Sequence, residues 1–321
     1  MDRVDALRSD VERGPAALGD LLAVYGSEAG PLGALDPASL RGRRMAFVGL
    51  GSSWFASMDA AFALRGAGVA AWAEVASAVG APPSKDLVAV AVSASGRTRE
   101  VVEVARRHRG RSLVIGVTNA PDSPLAAASD VVLPLAAGVE TAGISTLTYR
   151  ATVVVLAMLA ERLGFGAESG SRIEPRPTDG VIAAAADLLD GAATIDVIGP
   201  ASRLGAVSQA ALLLREAPRL PAHAYETSDW LHTAVYLALP RHRAVLLTGS
   251  PADAEVIDTI RRRGGEVVTI GPAVVGGSLA LEMAQGSPVQ RTVSESAVID
   301  RLALELWDRV RSTEVPPAIP G

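Results

Sequence analysis

The chain has 321 residues, of which 49% are apolar, enough to form one or two well-packed domains. Its net charge of −5 and its lack of a basic stripe argue against a nucleic-acid-binding protein. Because the sequence contains no cysteine, disulfides, thiolate metal sites and a cysteine nucleophile are excluded. The four histidines are scattered, so their spacing predicts no metal site.

The N-terminus and the hydropathy pattern predict a cytoplasmic protein that makes no use of a membrane. The first residues are charged and lack the apolar core of a signal peptide. The longest unbroken apolar run, residues 153–160, is too short to span a bilayer. Residues 1–40 are predicted to form N-terminal helices, over 5–11 and 15–24.

A first α/β unit is predicted over residues 41–165. Apolar runs and helical periodicity alternate there, with strands at 45–48, 70–75, 87–93, 112–118 and 130–135 and helices at 54–66, 98–108 and 146–163. Strands that alternate with helices imply a parallel, doubly wound sheet with helices on both faces.

The same pattern restarts after a predicted linker, residues 166–183, and gives a second unit over 184–311. Its predicted strands are 194–199, 243–248 and 266–271, and its predicted helices are 204–216, 252–263 and 296–310. The tail, 312–321, is predicted to be loose. The sequence therefore predicts an α/β fold of two tandem doubly wound, flavodoxin-like parallel-sheet domains.

Two turns in the first unit are rich in glycine and hydroxyl residues, namely 49–53 and 93–98. Each follows a predicted strand and leads into a predicted helix. Such turns direct backbone N–H groups and the positive end of a helix dipole at one point, where an anion such as a phosphate binds. The alternative is that these serines and threonines only cap helices.

A dinucleotide site is a weaker interpretation of the first turn. Gly49 and Gly51 begin a G-x-G pattern, but Trp54 stands where the third glycine of that motif belongs. Glu74 is the nearby acidic residue, and its context does not match the ribose-binding position.

The order and spacing of several segments together resemble the SIS (sugar isomerase) family. The chain is most similar to the isomerase half of glucosamine-6-phosphate synthase and to related fructosamine and amino-sugar phosphate deglycases and deaminases. The similarity covers nearly the whole chain, and the segments that carry it are Gly51-Ser52-Ser53, residues 93–100, 117–119, 123–125, 138–140 and 145–148.

The resemblance implies a sugar-phosphate site in the first unit. Phosphate would be bound by Ser93, Ser95 and Thr98, with the backbone around Ala94 and Gly96. The remaining substrate-binding positions that the family implies are Gly51, Ser52, Ser53, Gly143 and Ser145, with Ser53 and Ser145 on the sugar side.

The resemblance also implies two catalytic residues in the second unit. Glu216 matches the glutamate that moves a proton between C1 and C2, a task that suits a carboxylate whose pKa is raised by burial. His232 matches the ring-opening histidine, which in the family reaches the site of the neighbouring subunit, so a homodimer is expected. Alternatively, Glu216 pairs with Arg215 or Arg219 on a helix face, and His232 is an interface residue. Enediol chemistry of this kind needs no metal or organic cofactor.

The sequence departs from the aminotransferase members of the family. Those members carry a glutaminase domain with an N-terminal cysteine, so glutamine hydrolysis by that route is not expected on this chain, and a separate partner would have to supply ammonia. They also use two lysines: Leu213 replaces the first, and the tail after Ser312 contains none. Lys85 is the only lysine, and its turn, 82–86, favours a surface position.

Three functions therefore remain open. The first is an enzyme acting on a hexose 6-phosphate or amino-sugar phosphate, by aldose–ketose isomerisation or by forming or breaking a C–N bond. The second is a fructosamine-phosphate deglycase or amino-sugar-phosphate deaminase. The third is a catalytically inactive sugar-phosphate sensor, which the negative charge and the short N-terminal segment disfavour.

Overall fold

The computed structural model describes residues 2–26, 30–165, 177–272, 276–283 and 286–311. Within these ranges the chain forms two five-stranded sheets, and every strand pairs in parallel with its neighbours. Helices flank both sheets, so the predicted fold class is confirmed.

The first unit follows two N-terminal helices, α1 and α2. In chain order the elements are α1 (Arg3–Tyr25), α2 (Pro37–Leu40), β1 (Arg44–Gly49), α3 (Ser52–Gly66), β2 (Ala71–Val75), β3 (Leu87–Val92), α4 (Arg99–His108), β4 (Leu113–Thr118), α5 (Pro124–Ala128), β5 (Val131–Pro134) and α6 (Leu147–Arg162).

The second unit repeats the alternation of strand and helix. Its elements are α7 (Asp179–Leu189), β6 (Ile195–Gly199), α8 (Leu204–Glu216), β7 (Ala222–Glu226), α9 (Thr227–His232), β8 (Arg243–Leu247), α10 (Asp253–Arg262), β9 (Glu266–Gly271), β10 (Leu279–Glu282) and α11 (Pro288–Arg311).

The two sheets have the same strand order. The first runs β2-β1-β3-β4-β5, and the second, taken from its β7 edge, runs β7-β6-β8-β9-β10. In both, the chain starts beside the centre, places the second strand on one side, and then crosses to the other side for the third. The internal repeat predicted from the sequence is therefore present in the topology.

The degree of burial explains which strands could be predicted from the sequence. β3 is buried along its whole length because helices cover both of its faces, and its sequence is a continuous apolar run. β7 and β10 are edge strands, only partly buried, and both contain polar residues. These two strands were absent from the sequence prediction, as were α5, α7 and α9.

Two helices differ from their predicted bounds. The predicted helices at 5–11 and 15–24 are one continuous helix, α1, with Pro15 inside it. Proline has no N–H, so α1 loses one backbone hydrogen bond there. The helix continues because its buried residues before and after Pro15 remain packed. α11 begins at Pro288, eight residues before the predicted start at 296.

Two predicted segments lie partly or wholly outside the described residues. Of the predicted linker 166–183, residues 166–176 are outside, and 179–183 form the first residues of α7. The predicted tail, 312–321, is also outside.

Helix α1 packs against the cores of both units. Its first half contributes Val4, Leu7 and Val11 to the apolar cluster of the second unit. Its second half contributes Leu18 and Leu21 to the cluster of the first unit. The N-terminal helix therefore holds the two sheets together. Among the described helices, none is both long enough and apolar enough to cross a bilayer.

Candidate active site

The site predicted in the first unit lies at the carboxyl edge of its sheet. The chain leaves β1 toward β2 on one side and later leaves β3 toward β4 on the other, so the turns after β1 and β3 meet where the strand order reverses. In open parallel sheets, ligands bind at this reversal point, outside the carboxyl ends of the strands.

The turn after β3 is closed by its own hydroxyl groups and backbone. Ser93 Oγ lies 2.9 Å from Thr98 Oγ1, and the N–H of Gly96 donates to the carbonyl of Ser93 at 3.0 Å. Gly96 has a φ of +62°, and a Cβ at this position would collide with the side chain of Ser123. Ser95 is exposed and accepts the N–H of Arg97 at 3.2 Å. The turn thus brings three hydroxyl groups to one short segment.

Helix α4 begins at this turn without a side-chain cap. Thr98 stands at the N-cap position, where a hydroxyl ordinarily accepts an N–H of the first helical turn. Its side chain makes no such bond and faces Ser93 instead. The side chain of the N-cap residue therefore accepts none of the N–H groups in the first turn of α4.

The turn after β1 has the same character. Gly51 has a φ of +53° and stands at the N-cap of α3, again with no side-chain cap. A Cβ on Gly49 would lie 2.8 Å from the backbone nitrogen of Trp54, so only glycine allows this tight approach. Ser52 and Ser53, both half-buried, form the first turn of α3. Two uncapped helix N-termini therefore share one edge of the sheet.

The second repeat provides an internal comparison. Ser93 follows β3 and donates its N–H to Val117 in the next strand at 3.0 Å. Thr248 follows β8 and donates its N–H to Ile270 in the next strand at 2.9 Å. These matching bonds align the turn at 93–98 with the turn at 248–253.

In the second repeat the turn is occupied by a carboxylate of the chain itself. Asp253, five residues after Thr248 as Thr98 is five after Ser93, accepts the N–H groups of Gly249 at 2.6 Å and Ser250 at 3.0 Å. Asp253 is 3% exposed. Asp253 therefore occupies two backbone N–H groups that an external anion would otherwise bind, whereas the turn at 93–98 contains no acidic residue.

Asn119 ties the 93–98 turn to the loop that carries Gly143 and Ser145. Its N–H donates to the carbonyl of Ala94 at 3.0 Å. Its side-chain amide donates to the carbonyl of Gly138 at 2.6 Å and accepts the N–H of Ala137 at 3.0 Å. The segment from 137 onward is therefore fixed relative to the turn.

Glu140 organises the loop at 138–148 from within. Its carboxylate accepts the N–H of Thr146 at 2.6 Å, the N–H of Thr148 at 3.2 Å and the hydroxyl of Thr148 at 2.5 Å. Ser145 Oγ lies 2.8 Å from the same hydroxyl of Thr148. Gly143 has a φ of +66° with open space around it. Glu140 belongs to a segment that carried the resemblance, but the sequence analysis assigned it no role.

Asp10 of α1 holds the same loop from outside. It is fully buried and accepts the N–H of Ala142 and the hydroxyl of Thr141, both at 2.9 Å. Burial alone would raise its pKa, but these hydrogen bonds and the one from Arg13 outweigh burial and hold the pKa of Asp10 below its ordinary value. No local sequence pattern indicates this contact, because it joins residues more than 100 positions apart in the chain.

Glu216 is the last residue of α8 and lies within electrostatic reach of Glu140 in this loop. The side-chain amide of Gln209, two turns earlier on α8, donates to the carbonyl of Ser145 at 2.9 Å. Glu216 is an exposed residue, but the atoms packed around its carboxyl desolvate it enough to raise its pKa, with Arg215 and Arg3 acting to lower it and Glu140 acting to raise it. Arg215 is the charge that most opposes this rise, and its guanidinium also donates to the carbonyl of Ala222 at 3.2 Å.

Comparison with known proteins identifies the family. Residues 41–162 match the family model of the SIS domain. The chain belongs to the SIS domain family.

The curated relatives of this SIS protein are isomerizing glutamine–fructose-6-phosphate aminotransferases. The one from Aeropyrum pernix is 31% identical over 270 residues, which cover 74% of this chain and 44% of that protein. The one from Symbiobacterium thermophilum is 30% identical over 204 residues, 56% of this chain and 33% of that protein. The chain thus spans less than half the length of these curated relatives.

Solved structures share the fold of the SIS protein across nearly its whole length. The C-terminal domain of glucosamine-fructose-6-phosphate aminotransferase from Francisella tularensis superposes with a TM-score of 0.76 at 16% identity, covering 95% of this chain and 96% of that one. Tagatose-6-phosphate ketose/aldose isomerase from Escherichia coli gives 0.75 at 17% identity, covering 95% and 92%. At such identities the comparison supports the fold alone.

The SIS protein has no lysine near the predicted site. Leu213, which stands where the resemblance expects the first lysine, is 1% exposed in the core of the second unit. Lys85 is exposed and precedes β3, so it lies at the amino edge of the sheet, whereas Ser93 follows the carboxyl end of β3. A six-residue strand separates the two edges by about 20 Å.

His232 belongs to the second unit, at the end of α9. It is exposed and lines an open depression on the second unit with Leu231, Val235 and Tyr236. Among the hydrogen bonds found in the described part of the chain, none links it to the 93–98 turn or to the 138–148 loop. The structure therefore places Glu140 of the 138–148 loop within electrostatic reach of Glu216, and gives His232 no hydrogen bond, among the described residues, to either segment.

Proposed function

We propose that this SIS protein is a sugar-phosphate isomerase-type enzyme that acts on a hexose 6-phosphate or an amino-sugar phosphate. The observation that carries the proposal is the contrast between the two repeats. The turn at 93–98 offers hydroxyls and an uncapped helix, whereas the matching turn at 248–253 is filled by Asp253.

The phosphate group would sit at the 93–98 turn. The hydroxyls of Ser93, Ser95 and Thr98 supply donors without adding negative charge, and the first turn of α4 adds backbone N–H groups. The positive ends of α3 and α4 face the same edge of the sheet and favour a dianion. The family resemblance assigns phosphate to these residues as well.

The sugar would extend from the phosphate toward the loop at 138–148 and Glu216. Asn119 connects the turn to this loop, and Gln209 connects the loop to α8. The Glu216 carboxylate would remove a proton from one of the two carbons, C1 or C2, of the open-chain sugar. The resulting enediol would take a proton back from the same carboxyl group on the other carbon, after partial exchange with solvent, while a second proton moves between the two sugar oxygens, so no net oxidation occurs. A raised pKa suits this exchange because the group must both accept and return a proton.

Aldose–ketose isomerisation fits the absence of a usable lysine. Leu213 is buried and Lys85 stands at the opposite edge of the sheet, so neither position offers an amine to the sugar carbonyl. A proton transfer through an enediol requires no such amine.

A second candidate is a reaction of an amino-sugar phosphate in which the substrate brings its own nitrogen. The curated relatives favour it, because all are named as aminotransferases that act on fructose 6-phosphate. The same turn and the same Glu216 would serve a deglycase or deaminase, in which water is the second reactant and the amine or ammonia is released.

We further propose a homodimer in which His232 opens the sugar ring in the neighbouring subunit's site. Three apolar side chains next to His232 face solvent, since Tyr236 is 74% exposed, Leu237 66% and Leu239 63%. Exposed apolar patches of this kind are typical of association surfaces. A second copy covering this patch would bring His232 to another site.

The substrate class is tested by thermal denaturation with fructose 6-phosphate, glucose 6-phosphate, glucosamine 6-phosphate and fructosamine 6-phosphate. The unphosphorylated sugars and NAD are the controls. A ligand that binds the folded state raises the melting temperature by mass action. A shift with at least one phosphosugar and none with the controls supports the proposal, and no shift with any phosphosugar contradicts it.

A further inference from the structure

Helices α3 and α8, which belong to different units, touch through their backbones. A Cβ on Gly205, in the first turn of α8, would collide with the carbonyl oxygen of Phe55 in α3. Glycine at 205 therefore permits a contact that any larger residue would prevent. This contact lies at the junction between the two sheets.

Asp59 of α3 caps α8 across that junction. Its two carboxylate oxygens accept the N–H groups of Gly205 at 2.7 Å and Ala206 at 3.0 Å. Arg203, at the N-cap position of α8, makes no side-chain cap of its own. The cap that a helix usually receives from its own chain neighbour thus comes from the other unit.

Both helices lead to the proposed active site. α3 starts with Ser52 and Ser53 at the sugar-phosphate end, and Asp59 lies two turns further along, about 10 Å from that end. α8 carries Gln209, which binds the Ser145 carbonyl, and ends at Glu216, about 20 Å from its capped start.

We propose that Asp59 is a positioning residue that sets α8 against α3, so that Glu216 stands at a fixed place relative to the phosphate turn. The inference rests on the proposed function for the role of Glu216. Asp59 itself is too far from Ser52 to touch the substrate, so it acts through α8. Its carboxylate bonds fix the start of the helix, and the Gln209 bond fixes the middle.

The test is Asp59→Asn, which keeps the shape of the side chain but can accept only one of the two N–H groups. We expect the kcat for phosphosugar isomerisation to fall about 100-fold, because a displacement of about 1 Å at the reacting atoms costs that much. The Kd for the same phosphosugar should change by less than about threefold, since the 93–98 turn is untouched.

The matched control is Asp130→Asn. The carboxylate of Asp130 also accepts a backbone N–H, that of Val114 at 2.8 Å, but near the start of β4, at the amino edge of the sheet. This variant should keep the wild-type kcat. An unchanged kcat in Asp59→Asn, or equal losses in both variants, would overturn the inference.

Hydrogen exchange separates this inference from the proposed function. If the wild type catalyses no isomerisation, the proposed function fails, and the exchange rates alone decide whether Asp59 fixes α8. Amides at 205 and 206 should be strongly protected in the wild type, and Asp59→Asn should speed exchange there and at 143–146. Fast exchange at 205 and 206 in the wild type would contradict the inference, even if the variant fails to fold.

Discussion

Thr98 and Asp253 occupy equivalent positions in the two repeats, but only the side chain of Asp253 accepts hydrogen bonds from the backbone of its turn. Asp253 accepts two N–H groups of its own turn, at 2.6 and 3.0 Å. Thr98 makes no cap and lies 2.9 Å from Ser93 Oγ. One repeat thus supplies its own anion, and the other is left open to an external one.

Thr98→Asp should convert the first turn into a copy of the second. The new carboxylate would compete for the backbone N–H groups and repel a phosphate, so we expect fructose 6-phosphate to bind at least about 100-fold more weakly. Isothermal titration measures the change. Thr98→Ser, which keeps the hydroxyl, is the control and should bind nearly as well as the wild type. Equal affinity of Thr98→Asp and wild type would place the phosphate elsewhere.

Gly96→Ala should destabilise the fold more than Gly51→Ala. Both glycines have positive φ, +62° and +53°, which costs an alanine about 1–3 kcal/mol. Only at Gly96 would the added Cβ also collide with Ser123 and crowd Thr118, for a total of about 3–5 kcal/mol. Urea unfolding measures both values, and equal losses would show that the turn at 93–98 is not packed as described.

Glu216→Gln should abolish turnover while keeping phosphosugar affinity, because it removes the base and keeps the shape of the side chain. In the wild type only the ionised carboxylate can accept the proton. Since desolvation raises the pKa of Glu216, kcat/KM should fall, as pH decreases, at a higher pH than an ordinary glutamate would give. A pH–rate profile checks this. Full activity in the glutamine variant would exclude Glu216 as the base.

Mixed dimers test whether His232 serves the neighbouring subunit. His232→Asn and Thr98→Asp should each be inactive alone. When the two are mixed and allowed to exchange subunits, half of the dimers are mixed, and each mixed dimer has one intact site. About a quarter of wild-type activity should therefore return. No recovery, with exchange verified by mass spectrometry, would mean that His232 does not act across the dimer.

Asp59 should make stability depend on pH near neutrality. Desolvation raises its pKa from 3.8 to about 7, although the N–H groups of Gly205 and Ala206 and the charge of Arg203 oppose this shift. Glu295 adds to the increase, and the buried hydroxyl of Tyr149 on α6 also lies within electrostatic reach of Asp59. Between pH 3.8 and about 7, the folded state therefore holds a proton on Asp59 that the unfolded state has released.

This contribution of Asp59 to stability is fully present below pH 3.8 and is lost as pH rises through about 7. The unfolding free energy of the wild type should therefore fall, relative to that of Asp59→Asn, across that interval. Denaturant unfolding of both proteins at several pH values measures the difference. Parallel curves would show that Asp59 is not desolvated at the junction.

The sequence revealed the elements whose burial is uniform. Central strands such as β3 are apolar throughout because both faces are covered, and the glycine and hydroxyl turns that follow them stand out. Edge strands are half-exposed, so β7, with the sequence Ala-His-Ala-Tyr-Glu, has no apolar run to detect. Pro15 suggested a break in α1, but packing on both sides carries the helix through it.

Part of the candidate site could also be predicted from the sequence. Local turns such as 93–98 can be read from consecutive residues. The contacts of Asp59 with α8 and of Asp10 with the loop at 141–142 join residues more than 100 positions apart, so no local pattern encodes them. Likewise, the contrast between Thr98 and Asp253 became meaningful only once the strand order aligned the two repeats.

The most direct test of the proposed chemistry is solvent exchange at the carbons that would carry the proton. Wild-type protein is incubated with fructose 6-phosphate or glucose 6-phosphate in D2O, and deuterium at C1 and C2 is followed by NMR. We predict incorporation by the wild type and none by Glu216→Gln, since the enediol forms only when the carboxylate removes the carbon-bound proton. Binding of these phosphosugars without any exchange would contradict the isomerase mechanism.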